Sequence, residues 1–414
     1  MGASVQQSFI WLPAGLLPLP LPLPLPLPPP LLLKGSMTFH KGPSQRSPPP
    51  PGYPPARQLK RWPVTWQSVK PEPPGKFVIQ VFKDFQQPFT GRYPTSHRIY
   101  SMPVPQEPLR RVAVTGGTHG NEMCGVYLAR HWLQAPGELQ QPSFSAVPVL
   151  ANPAAAAVCR RHIGCDLNRS FTKALLTASP TPDEPYEVTR ARELNQLLGP
   201  KNSSQAFDFV LDLHNTTANM NTCFIVNETD LFAMHLCHRL QLQNSESPSW
   251  ILVYQPPESE TFSLDSVSKH GMTIEIGPQP QGVLQAKLFY RMRSLVASTL
   301  DLIELFNQGT AFPAFEMEIY RLLEYMEFPR TEEGDLAGMV HPQIQDQDFK
   351  PLQPGTPIFQ MFSGKDVLYE GDSTVYPVFI NEAAYYEKNI AFMKTEKLTV
   401  SVPALPVLTP SPAH

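Results

Sequence analysis

From Leu109 onward the chain alternates short continuous apolar runs with longer segments whose apolar residues recur at every third or fourth position, each change marked by Gly, Pro or Asn. The first pattern predicts buried strands and the second amphipathic helices. Val112 to Val114 reads as a strand broken by Gly116-Gly117, a helix follows over about Met123 to Leu133, and Val147 to Leu150 is a strand ending at Asn152-Pro153. A loop runs from Arg160 to Phe171, and a helix from Tyr186 to Leu198 starts after Pro185 and stops at Gly199-Pro200. Strands are predicted over 208–214, 250–254 and 272–276, with a helix over 232–242. Lys287 to Phe306 is the clearest helix: Leu288, Met292, Leu295, Val296, Thr299, Leu302 and Ile303 share one face, and Asn307-Gln308-Gly309 ends it. Strands alternating with helices in this way predict an α/β fold with a largely parallel sheet flanked by helices.

Beyond about residue 310 the pattern changes to short β-like runs: Glu316 to Met326, Gly338 to His341, Pro357 to Phe362, Thr374 to Ile380 and Lys397 to Val402. The shift predicts a smaller β-rich C-terminal domain. The expected organisation is a Pro-rich, disordered extension over 1–104, a catalytic domain over 105–309, a β-rich capping domain over 310–404 and a disordered tail over 405–414. No internal repeat is visible.

The 49 Pro crowd the first hundred residues, where Leu16 to Leu33 alternates Leu with Pro and Pro48 to Pro51 forms a second run. Proline removes the backbone donor and clashes with the preceding turn, so this leader reads as polyproline II or disorder, interrupted at most by a short element at Phe77 to Phe85. Residues 9–33 are apolar enough for a signal peptide or membrane span, but prolines at every second position forbid the helix either needs. Gln6 stands where a myristoylation signal needs Ser or Thr. A polyproline leader suits an SH3-type partner.

With 414 residues, 42% of them apolar, the chain can bury a sizeable core. Its net charge of −3, with basic residues dispersed apart from Arg57 to Arg61, leaves no electrostatic footprint for nucleic acid. Five Cys without paired spacing argue against a disulfide framework or a cysteine metal site and fit a reducing compartment. The formal glycosylation sequons at Asn168 and Asn215 fall inside the candidate site, where glycans would block it. A cytoplasmic protein is expected.

Candidate chemistry sits at strand ends, where α/β sheets place ligands. His119 and Glu122, three residues apart, can converge on one metal ion, and both suit Zn2+. Alone the motif is weak. His214, at the end of the apolar run from Asp208, offers a third ligand and would complete a catalytic zinc site with one position open for water. Glu275 lies inside the apolar run 272–277, and burial without a partner would be costly, so a polar cavity is expected in front of it. Asp212, two residues before His214, either orients that imidazole or makes a core-edge salt bridge, and Asp166 leaves the same choice open.

Five motifs in order, Thr115-Gly-Gly-Thr-His-Gly-Asn-Glu122, Cys165-Asp-Leu-Asn-Arg169, Asp212-Leu-His-Asn-Thr-Thr217, Glu275-Ile-Gly-Pro-Gln-Pro-Gln-Gly282 and Val378-Phe-Ile-Asn-Glu-Ala-Ala-Tyr-Tyr-Glu387, resemble the aspartoacylase family of the zinc carboxypeptidase superfamily. The likeness runs from about Met102 to Val402 and is strongest to the branch acting on N-acyl aromatic amino acids. It implies a zinc-carboxypeptidase-like mixed sheet, one zinc per chain on His119, Glu122 and His214, and Glu275 as general base. It also implies that Arg161 polarises the scissile carbonyl, that Asn168 and Arg169 grip the substrate α-carboxylate, and that Tyr385 reaches the site from the second domain. Fixed cations suit these tasks, because an oxyanion develops in the first and Arg binds carboxylate bidentately in the second. Glu382 reads as a structural hydrogen-bonding residue. A homo-oligomer and peripheral association with the apical membrane are further implications of the resemblance.

Two departures matter. Aspartoacylases carry an Arg about ten residues before the catalytic Glu to hold a second substrate carboxylate; here Asp265 stands there and would repel one. Acylaspartate is therefore disfavoured, and N-acyl amino acids with neutral, aromatic side chains are expected, together with S-conjugates of N-acetylcysteine. Family chains begin near the position of Met102, so the resemblance does not cover residues 1–101, which read either as an isoform-specific extension or as a mispredicted start. The competing readings are an aspartoacylase, a peptide-trimming carboxypeptidase, which needs an open groove, and a non-enzymatic interaction protein using the leader.

Overall fold

Strand β1 (Val112–Gly116) is buried at every position, and so is β3 (Phe209–Asn215), because helices cover both faces of the sheet they belong to. The computed structural model describes residues 102–243, 247–254 and 261–409. The leader over 1–101, with its candidate element at Phe77 to Phe85, and residues 410–414 of the expected tail lie outside the described residues.

Nine strands form one sheet in the order β11-β12-β7-β5-β4-β6-β3-β1-β2. The remaining members are β2 (Val147–Leu150), β4 (Thr222–Asn227), β5 (Ser249–Tyr254), β6 (His270–Ile276), β7 (Phe315–Glu327), β11 (Tyr376–Val378) and β12 (Ile390–Val402). The pairs β1/β2, β1/β3, β3/β6, β4/β5 and β5/β7 are parallel; β4/β6, β7/β12 and β11/β12 are antiparallel. Helices α1 (Met123–Gln134), α2 (Pro153–Ala157), α3 (Lys173–Thr177), α4 (Tyr186–Leu198), α5 (Leu231–Gln243) and α6 (Ala286–Asn307) connect or cover these strands. All seven residues predicted for the apolar face of α6 are buried. No helix among the described residues is long and apolar enough to cross a membrane.

The period-2 alternation of strand side chains divides the core. Val112, Val114, Leu211, Leu213, Met272 and Ile274 pack with α1, α5 and α6, whereas Ala113 and Val210 pack on the other face with Ala191, Leu194 and Leu198 of α4. Each fully buried Leu, Ile or Phe in these layers contributes roughly 1.5–3 kcal/mol. Asp212 and His214 therefore share the Val210 face of β3, and the register Asp212↔Thr273, His214↔Glu275 brings Glu275 of β6 beside His214.

The β-rich C-terminal domain expected from the sequence is present with a connection the sequence did not show, and two expected boundaries need correction. Strands β7, β11 and β12 extend the large sheet, because Tyr320 and Arg321 pair with Leu252 and Val253 of β5. Only β8 (Gly338–Val340), β9 (Pro357–Met361) and β10 (Asp366–Leu368) form a separate sheet, with its own core around Phe328, Ile358, Phe359 and Phe392. The tail is not free from residue 405: Leu405 and Leu408 are buried in the main core, and the Leu405 amide donates to the Phe312 carbonyl. Val104, counted with the extension, also packs against that core.

Candidate active site

At the end of β1 the chain must turn sharply. Gly117 takes a left-handed φ of +70°, and at Gly120 a Cβ would lie 2.1 Å from the Ala155 carbonyl carbon, so the turn packs directly on α2. This turn presents His119, and Glu122 follows at the mouth of α1. His214 comes from the end of β3.

The three side chains converge. His119 Nδ1 lies 2.6 Å from Glu122 Oε1, His214 Nδ1 lies 2.8 Å from Glu122 Oε2, and the two Nδ1 atoms are 3.2 Å apart. The outward nitrogens are both occupied: His119 Nε2 meets Asp166 Oδ1 at 3.0 Å, and His214 Nε2 meets Asp212 Oδ2 at 2.7 Å. Asp212 is itself held by the hydroxyls of Thr115 and Thr118. A carboxylate on Nε2 assigns the proton there and turns the Nδ1 lone pair inward. Two imidazole nitrogens and a carboxylate, with ligand atoms all within 4.8 Å of one another and all buried, fit a zinc ion in donor type and in second-sphere support. Asp212 contacts the imidazole of His214, whereas Asp166 does both things the sequence left open, contacting the imidazole of His119 and pairing with Arg161.

The electrostatics favour a cation at this point. Burial penalises the charged forms, yet His119 and His214 hold the Glu122 carboxyl well below the usual range, and Asp212 with Glu122 raises His214 well above its ordinary value. Glu275 shows the opposite trend. Burial pushes its carboxyl well up, with Glu122 and Glu382 adding to the shift and His214 opposing it. Its Oε2 is buried without a hydrogen-bond partner among the described residues.

Arg161 donates to Glu122 Oε1 at 3.3 Å and to Asp166 Oδ2 at 3.1 Å. Burial opposes its charge, but these two carboxylates outweigh that and keep it protonated. Asn168 Oδ1 accepts from the Leu264 amide at 3.0 Å, pinning the 261–265 segment. The Arg169 guanidinium stacks 4.6 Å over the Phe262 ring and donates to the Asn168 carbonyl. Lys201 Nζ fastens the same segment by donating to the carbonyls of Phe171 and Thr261 and to Ser266 Oγ. Asp265 is buried, and burial pushes its carboxyl up to about 6.

From the C-terminal side, the short helix Ala383–Lys388 delivers Tyr385, which is buried against Phe379. Glu382 Oε2 accepts from the amides of Thr217 and Ala218 and from the hydroxyls of Thr216 and Thr217, a structural clasp between β3's end and this helix. All nine sequence-derived site residues, His119, Glu122, His214, Glu275, Arg161, Asn168, Arg169, Tyr385 and Asp265, line one cavity of about 140 Å3, walled elsewhere by Leu252, Phe262, Phe379 and Met393.

Some contributors escaped the sequence. Lys388 donates to Asp166 Oδ2 at 3.4 Å, and burial together with Arg169 pulls its ammonium down to about 8. Its place three residues after Tyr385, on the same side of a helical turn, was the available signal. Ser263 and Tyr254, which line the cavity itself, carry no motif.

Known proteins match this chain along most of the described region. A family model described as the succinylglutamate desuccinylase/aspartoacylase catalytic domain matches residues 108–303, and one described as the AstE/AspA barrel-sandwich hybrid domain matches residues 315–397. A human protein named N-acyl-aromatic-L-amino acid amidohydrolase (carboxylate-forming) is 70% identical over 314 residues, covering 76% of this chain and 98% of its own length. Mouse aspartoacylase is 44% identical over 303 residues, covering 73% of this chain and 97% of its own. The crystal structure of murine aminoacylase 3 superposes with a TM-score of 0.72 at 68% identity, over 73% of this chain and 99% of that one.

Proposed function

The chain belongs to the succinylglutamate desuccinylase/aspartoacylase family, and on that premise we propose that it is a zinc-dependent amidohydrolase that splits N-acyl aromatic amino acids into a carboxylate and the free amino acid. One observation carries the reading: the unpartnered Glu275 Oε2 stands in the same cavity as the convergent His119, Glu122 and His214. A zinc ion held by those three residues would supply a water acidic enough to attack at neutral pH.

Glu275 takes the proton of the attacking water on Oε2 and returns it to the leaving amine nitrogen as the C–N bond breaks. Arg161, fixed by two carboxylates, donates to the carbonyl oxygen as it becomes an oxyanion. Arg169 and the Asn168 amide bind the α-carboxylate and so set the distance between the scissile amide and Glu275. Tyr385 and the clasped Glu382 segment wall the cavity on the C-terminal side, which supports a small-molecule pocket over the open groove of a carboxypeptidase.

Specificity follows from Asp265. Among the described residues lining the cavity the cations are Arg161 and Arg169, and both have the duties given above, so a second carboxylate would meet Asp265 unaided. N-acetylaspartate is thus disfavoured, and aromatic side chains, or the thioethers of N-acetylcysteine S-conjugates, suit the walls of Leu252, Phe262, Phe379 and Met393. All five cysteines are free, which supports a cytoplasmic location. Metal analysis together with a panel of N-acetyl amino acids tests the proposal. About one zinc per chain and faster cleavage of N-acetylphenylalanine than of N-acetylaspartate is expected; a preference for N-acetylaspartate would overturn the assignment of Asp265.

A further inference from the structure

Glu187, the second residue of α4, carries a fully buried carboxylate to which four amides donate. Its Oε1 accepts from the Ile163 amide at 2.7 Å and from Asn152 Nδ2 at 3.2 Å. Its Oε2 accepts from the amides of Gly164 and Cys165 at 3.0 and 3.1 Å. Burial opposes the charge, but these donors outweigh it and hold the carboxyl below the usual range. A buried carboxylate is costly unless its lone pairs are filled, and here they are filled by three consecutive backbone amides and one side chain.

Those three amides belong to the loop that carries the substrate-binding groups. Residues 158–166 form no helix or strand, so the shape of this stretch depends on bonds of this kind. On one side of the triplet stands Arg161, whose carbonyl accepts from the Gly120 amide of the metal-site turn at 3.2 Å. On the other side the turn Leu167–Arg169 presents Asn168 and Arg169. The clamp is also braced from behind. Asn152 accepts from the Ala155 amide at 3.1 Å and so caps α2, the helix on which Gly120 packs. Gly164 fits closely against the clamp: an added Cβ would lie 3.1 Å from Pro185 Cβ and 3.4 Å from Glu187 Oε2.

We propose that Glu187 is a positioning residue for the reaction: by clamping residues 163–165 it fixes the separation between Arg161, on the scissile carbonyl, and the Asn168–Arg169 grip on the substrate α-carboxylate. Glu187 itself touches no substrate. A substrate anchored by its carboxylate then presents its carbonyl to Arg161 in a single pose, and a misplacement of about 1 Å in such an arrangement costs on the order of 10²-fold in rate. The inference rests on the amidohydrolase reading and adds to it the residue that sets its geometry.

The test compares kcat/KM for N-acetyl-L-phenylalanine and for N-acetyl-L-phenylalaninamide, which lacks the α-carboxylate, on the zinc-loaded full chain and its variants. Zinc content and circular dichroism are read alongside. The wild type should favour the acid by roughly 10- to 100-fold, the range of a charge-assisted hydrogen bond. In Glu187→Ala, and in the isosteric Glu187→Gln, whose NH2 group would face amide donors, this ratio falls towards one while about one zinc per chain is retained. Gly164→Ala keeps the carboxylate but crowds the loop, and lowers the ratio several-fold. The loss falls mainly on the acid, whereas a merely destabilised protein would lose both substrates alike. A ratio unchanged in folded Glu187→Gln and Gly164→Ala, or an equal loss of both substrates, overturns the inference and leaves the amidohydrolase reading intact. If Glu187→Ala does not fold, the other two variants decide; loss of the folded state in all three would make Glu187 structural only and overturn the inference as well. A wild-type ratio near one removes the carboxylate grip and the inference with it, and failure of the wild type to cleave either substrate removes the amidohydrolase reading itself.

Discussion

Asp212 grips His214 at 2.7 Å through Nε2, two residues away on the same face of one strand, and is itself held by the hydroxyls of Thr115 and Thr118. The relationship fixes the tautomer: the proton sits on the Asp212 side and the Nδ1 lone pair faces His119 and Glu122.

Asp212→Asn keeps the side-chain shape but weakens that grip. Zinc affinity should fall by about 10- to 100-fold, read by chelator competition, with the fold intact by circular dichroism. Unchanged affinity would show that the imidazole needs no orienting partner.

Lys388, beside Asp166 and the Tyr385 ring, tests the positive field around the site. Its ammonium, drawn down to about 8 chiefly by burial, loses its proton as pH rises through that value. KM for an N-acetyl aromatic substrate should therefore rise above about pH 8 in the wild type, because the positive field that attracts the substrate carboxylate weakens. Lys388→Gln should raise KM several-fold at pH 7, leave kcat nearly unchanged and flatten the KM profile. A steep rise retained in the variant would assign the titration elsewhere.

Asp348 tests stability away from the chemistry. Its Oδ1 accepts from the Ile380 amide at 3.0 Å, its Oδ2 has no partner among the described residues, and burial pushes its carboxyl from 3.8 up to about 7. A carboxyl whose folded-state pKa is raised stabilises the fold below the unfolded value and loses that contribution as pH rises through the folded one. Asp348→Asn removes the ionisation, so its Tm should exceed the wild-type value by a few degrees at pH 8 and match it near pH 4. Equal differences at both pH values would show that ionisation of Asp348 is not the cause.

Much of this was legible in the sequence because the determinants are local. Helix α4 begins after Pro185 and ends at Gly199 as the breakers dictate, and α6 buries the face its spacing marks. Strand β4 went unread: Thr222–Asn227 is short, follows the polar stretch 215–221, and owes its place to antiparallel pairing with β6. The continuation of the large sheet through β7 was equally hidden, since the two pairs Leu252↔Tyr320 and Val253↔Arg321 join segments far apart in the chain. At the site, His119, Glu122, His214 and Glu275 announced themselves as polar residues at or within apolar runs. Lys388 and Ser263 did not, because an isolated Lys or Ser in a loop-like segment carries no sign of burial; only the packing of Tyr385 and Phe262 around them gives them a role.

The most direct test of the account is the turnover of N-acetyl-L-phenylalanine by Glu275→Gln, measured on protein shown to carry about one zinc per chain. Glutamine preserves the size of the side chain and removes its capacity to take a proton. The account predicts undiminished zinc content and turnover lower on the order of 10²- to 10⁴-fold. Near-normal turnover at full zinc occupancy would contradict it, because the proton of the attacking water would then have to leave by a route that does not involve Glu275.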